Sequence, residues 1–129
     1  MSTRALLQIA LTVFGTVFLL VYPLAIVWPS GWAWHAGAPH DSEYFMMIVG
    51  VYATLGVFLL IAARNPAAHR SLIWFTVWSS VVHAVIMAVQ SIPHEHRWHL
   101  MGDVPALLLV AIVLGGLLGW SDAQQRAAA

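Results

Sequence analysis

Four long apolar runs, separated by short polar breaks, dominate the chain. They cover residues 5–27, 44–63, 71–92 and 104–120, and no Asp, Glu, Lys or Arg falls inside any of them. Wound as a helix, the first would reach about 34 Å, enough to cross a hydrocarbon core of about 30 Å. The last is the shortest and sits near the lower limit for spanning. Helix-stopping residues punctuate the breaks: Trp28-Pro29-Ser30-Gly31, Arg64-Asn65-Pro66, Pro93, and Gly102-Asp103-Val104-Pro105. Asp103 reads as an N-cap, with Pro105 in the first turn of the last helix. The pattern predicts an all-α polytopic membrane protein: one domain over residues 1–129, built as a bundle of four transmembrane helices.

Composition supports this. The 129 residues are 61% hydrophobic and only 8% charged, more apolar surface than a soluble domain of this length hides from water. In a bilayer the outward faces meet lipid instead. Five basic and five acidic residues cancel, so no basic field exists to attract nucleic acid. The absence of cysteine excludes disulfides, thiolate metal ligands and a cysteine nucleophile. The sequence has no internal repeat or low-complexity segment, and the Ala127-Ala128-Ala129 tail is expected to fray.

Arginine placement assigns the sides. Arg4, Arg64, Arg70 and Arg126 fall on one side of the four spans and Arg97 alone on the other. The positive-inside rule makes the four-arginine side cytoplasmic, with both termini there and loops 29–42 and 93–102 outside. Trp28, Trp32, Trp34 and Trp98 at the outer boundary and Trp120 at the inner one match an aromatic belt. A cleaved signal peptide is the rival account of the first run, through the small-x-small stretch Ala36-Gly37-Ala38. The apolar run is too long for that, and the stretch lies well beyond its end.

The third run carries a polar stripe. At about 100° per residue, Thr76, Ser79, Ser80, Met87, Gln90 and His94 all fall within about 60° of His83. Polar groups left unsatisfied against lipid are costly, so such a stripe is expected to face the bundle interior. Tyr52 in the second run lies at a similar depth to His83, and the two can hydrogen-bond between helices. The first run has a weaker stripe of Gln8, Thr12 and Thr16. Two readings stand: the polar groups join the helices, or His83 lines a small cavity as a ligand or proton carrier.

The second polar feature is His94-Glu95-His96-Arg97-Trp98-His99, followed by Asp103, with His35, His40, Asp41 and Glu43 in the other outer loop. Imidazoles with carboxylates suit a transition metal such as Zn(II), Cu(II) or Ni(II), and His94, His96, His99 and Asp103 form the candidate set. The spacing is not His-Glu-x-x-His, and a polar loop explains the same residues. In the last run, Gly115 and Gly119 make a small-xxx-small pair suited to close helix packing, within the bundle or between copies. No phosphate loop, Ser-His-Asp set or pair of membrane carboxylates is present.

The chain resembles a family of small uncharacterised bacterial four-helix membrane proteins, a domain of unknown function. The resemblance runs through Tyr22-Pro23, Trp28-Pro29-Ser30-Gly31-Trp32, Glu43-Tyr44, Gly50-Val51-Tyr52 and Ala62-Ala63-Arg64-Asn65-Pro66. It is strongest at His69-Arg70-Ser71-Leu72, Trp78-Ser79-Ser80-Val81-Val82-His83 and Gly102-Asp103-Val104-Pro105-Ala106. It implies a bacterial cytoplasmic-membrane location and brings no activity or catalytic residue. The expectation is a non-enzymatic accessory, ligand-binding or scaffold protein whose partners are the bilayer and a homo-oligomer or larger membrane complex. The alternative is a metal- or quinone-linked redox or transport protein using His83, Tyr52, Met87 and Gln90 beneath the histidine-rich loop.

Overall fold

A computed structural model describes residues 1–92 and 94–128, apart from the side chains of residues 94–96. The described residues form helices joined by turns and short irregular segments, without a strand. The helices are α1 (Thr3–Leu19), α2 (Val21–Val27), α3 (Pro29–Trp32), α4 (Glu43–Arg64), α5 (Arg70–Gln90) and α6 (Asp103–Ala127). Short 3-10 turns occupy Pro39–Asp41, Pro66–His69 and His94–Leu100. Three helical stretches are long and apolar enough to cross a membrane, and the bent α1–α2 pair makes a fourth if taken as one span.

Local chemistry sets several boundaries. Ser2 and Ser42 cap α1 and α4, their hydroxyls accepting from Ala5 N–H and Phe45 N–H, each at 3.2 Å. The first run is not one straight helix, because α2 turns 60° away from α1. Pro23 explains the break. It has no N–H for the Leu19 carbonyl, and its ring crowds that same oxygen. The last helix runs past Trp120 and ends at Ala127. Arg70 binds Asp122 and Thr3 Oγ1 donates to Gln124 Oε1 at 3.0 Å, which holds that polar extension against α5 and α1. The same two contacts bring the chain termini to one end of the bundle.

α1 lies along α4 and α5 along α6, while α1 against α6 joins the two pairs. α4 and α5 follow each other in the chain yet touch sparingly. Near the termini the packing is dense: Leu7, Leu11, Leu59, Ile73, Leu114 and Leu118 are almost completely enclosed. Val51, Phe58, Phe75, Trp78, Val85 and Ile112 point outward, as lipid-facing side chains would. Lipid offers apolar groups as good a home as another helix does, so close van der Waals contact holds such helices together. Helices α1 and α4 meet closely at Gly15 and Gly56: a Cβ on Gly15 would stand 2.9 Å from Gly56 O, and one on Gly56 2.6 Å from Gly15 O. Gly115 also meets a neighbour, Val77 on α5, but Gly119 borders open space.

The weaker stripe on the first span divides, with Gln8 half-buried. Thr12 and Thr16 are exposed, and their hydroxyls donate to the Gln8 and Thr12 carbonyls one turn back, each at 2.8 Å. This back-bonding satisfies a hydroxyl without any interhelical partner.

Candidate functional site

Toward the end opposite the termini, the helices diverge around a cavity of about 270 Å³. Phe14, Val17 and Phe18 line it from α1, Phe45 and Tyr52 from α4, and His83 and Met87 from α5. Asp103, Leu107 and Val110 of α6 complete the wall, with Trp32 and Trp34 from the first long loop region. The lining is almost entirely carbon. Its hydrogen-bonding side chains are concentrated in two places.

The first is Asp103. Its Oδ2 accepts the Trp34 Nε1–H at 3.0 Å and lies 2.9 Å from His99 Nδ1. The Trp34 and His99 rings stack, with centroids 3.8 Å apart and planes 22° from parallel. Asp103 is 5% exposed, and its Oδ1 is buried with no hydrogen-bond partner among the described residues. Asp103 is therefore not the N-cap expected from sequence. Gly102 occupies that position without a side-chain cap, and the carboxylate turns to Trp34 and His99 instead. A glycine is needed there, since a Cβ on Gly102 would collide with the Gly31 backbone. That close approach brings the α3 segment, and with it Trp32 and Trp34, over the start of α6.

The second polar site is deeper. Tyr52 OH and His83 Nδ1 are 2.7 Å apart, linking α4 to α5 where those helices otherwise part. Phe18 meets the Tyr52 ring edge-on at 5.0 Å. His83 faces two spaces at once: the cavity, and a lateral groove of about 390 Å³ between α4 and α5. Trp34, Phe45, Ile48 and Met87 border both spaces, so a thin wall of side chains separates cavity from groove.

The rest of the third-span stripe divides. Met87 is buried against the cavity, and Gln90 is exposed along the groove. Ser79 is half-buried and its Oγ donates to the Thr76 carbonyl at 3.2 Å, while Ser80 is buried; neither borders the cavity. Of the metal candidates, His99 and Asp103 meet, whereas the His94 and His96 side chains lie outside the described residues. Among the described residues no three His, Asp or Glu side chains gather as a metal site would require.

Trp32 and Trp34, two of the tryptophans read as an interfacial belt, are half-buried and border the cavity. Trp28, Trp98 and Trp120 remain exposed. The sequence carried one hint of this arrangement: an acid flanked by Gly102 and Pro105 at the mouth of an apolar run.

The model of a family of unknown function, DUF6632, matches residues 1–128. The chain belongs to that family. No curated protein and no solved structure matches it. Membership in DUF6632 brings no activity with it, so the functional argument rests on the cavity.

Proposed function

We propose that this chain is a four-span protein of the bacterial cytoplasmic membrane that binds a small amphipathic molecule without transforming it. Both termini then face the cytoplasm, since Arg4, Arg64, Arg70 and Arg126 belong to the end that carries them. The cavity lies in the outer half of the bilayer, beneath the loop that bears Trp34. The observation that carries the reading is the cavity itself: a space of about 270 Å³, walled by apolar side chains, with hydrogen-bonding groups at Asp103 and at Tyr52–His83. A few polar groups in a mainly apolar concavity is the usual composition of a small-molecule site.

The lateral groove supports a route of entry from the membrane. His83 and Met87 stand between groove and cavity, and rotation of these two side chains would join the spaces. A binding protein of this kind needs no nucleophile or paired acid and base. It serves equally as a stand-alone carrier or as the ligand-holding subunit of a larger membrane complex.

Thermal unfolding tests the proposal. A ligand that binds only the folded chain raises its unfolding temperature. Exhaustive exchange into fresh detergent and lipid should lower the midpoint of the wild type, and adding back the removed extract should restore it. Ala106→Phe, which projects a ring into the cavity, should respond to neither step. Equal responses from wild type and Ala106→Phe would argue against an occupied cavity.

A further inference from the structure

We infer that the ligand is an organic cation, an ammonium on an aromatic or branched apolar body, with its N–H directed at Asp103 Oδ1. This rests on the proposal that the cavity is a binding site, and it adds the chemical class. Two observations carry it.

The first is the state of the carboxylate. Oδ2 is occupied by Trp34 and His99, whereas Oδ1 is buried with no partner among the described residues and Asp103 borders the cavity. A buried acceptor left unpaired is costly, and more so when it belongs to a carboxylate. Water is a poor remedy, because a buried water needs two to four polar partners and the cavity that Asp103 borders is walled largely by carbon. The other polar pair, Tyr52 and His83, already shares a hydrogen bond through His83 Nδ1. An ammonium supplies the missing donor and the opposite charge together.

The second observation is the ring content of the wall. Phe14, Phe18, Trp32, Trp34, Phe45 and Tyr52 all border this one cavity. Aromatic faces carry negative electrostatic potential, and a cation enclosed by rings is attracted to them. The bilayer sharpens the point. Moving a neutral apolar molecule from lipid into an apolar cavity gains little, because lipid tails are as apolar as leucine. Discrimination must then come from what lipid lacks, and here that is a carboxylate oxygen among aromatic rings.

The test compares benzyldimethylammonium with its uncharged carbon isostere, isobutylbenzene. Binding to the full chain is measured at neutral pH in nanodiscs of zwitterionic lipid, with Ala106→Phe nanodiscs as the blank for partition into bilayer. The ammonium should bind at least about tenfold more tightly than the isostere. Asp103→Asn should remove most of that advantage and leave isobutylbenzene unchanged. Trp32→Leu, which leaves the carboxylate and its two partners in place, should weaken the ammonium by about threefold or more and serves as well if Asp103→Asn fails to fold. Equal binding of the two compounds above the blank would overturn the cation assignment while leaving the cavity a binding site. Binding of neither above the blank would overturn both.

Discussion

The indole N–H of Trp34 donates to Asp103 Oδ2 at 3.0 Å, a bond between residues 69 positions apart. It fastens the first long loop to the first turn of α6 and turns Trp34 over the cavity, with His99 stacked on it.

Removing that donor should be felt throughout the outer end. Trp34→Phe keeps a ring for His99 but leaves Asp103 Oδ2 one donor short, at a cost of about 1–3 kcal/mol for a hydrogen bond to a charged group. Trp98 is 56% exposed, and Trp98→Phe should cost far less. Unfolding in one detergent, with both variants side by side, checks the contrast. Similar losses would mean that the Trp34–Asp103 bond contributes little.

The glycine contact gives a prediction of opposite signs. Gly56→Ala places a methyl against the Gly15 carbonyl and must push α1 from α4, so it should lower the unfolding midpoint. Gly116→Ala meets no atom within 4 Å and should be neutral or stabilising, by up to about 1 kcal/mol, since alanine is the better helix former. Matching effects from the two would show that helices α1 and α4 do not approach at these glycines.

The sequence made the helical spans legible because an apolar run without charge has few other uses. It did not show how the spans meet. Gly15 and Gly56 lie in separate runs and neither belongs to a four-residue glycine pair, so no spacing marks them, whereas the conspicuous Gly115 and Gly119 include one residue that faces open space. Pro23 was visible, but the apolar continuity of residues 5–27 concealed the bend it causes. Trp32 and Trp34 have the composition of a membrane belt. Their inward turn depends on Asp103 and on the Gly31–Gly102 approach, which are tertiary facts. The proximity of Tyr52 and His83 could be anticipated from matched depth, and the two are 2.7 Å apart.

Orientation can be read directly because the chain has no cysteine of its own. Ala36→Cys and Ala67→Cys place single thiols on exposed positions of opposite loops. In intact spheroplasts a membrane-impermeant maleimide should label Ala36→Cys and reach Ala67→Cys only after lysis. The reverse pattern would place the termini outside, and labelling of both before lysis would contradict a chain that crosses the membrane between them.

The identity of what the cavity holds decides most. Wild type and Ala106→Phe are purified in parallel in mild detergent, and their small-molecule extracts are compared by mass spectrometry at equal protein. A single amphipathic species retained by the wild type in near-stoichiometric amount, and lost from Ala106→Phe, is the predicted result. Extracts of the same composition from both proteins, with no species enriched in the wild type, would contradict the account.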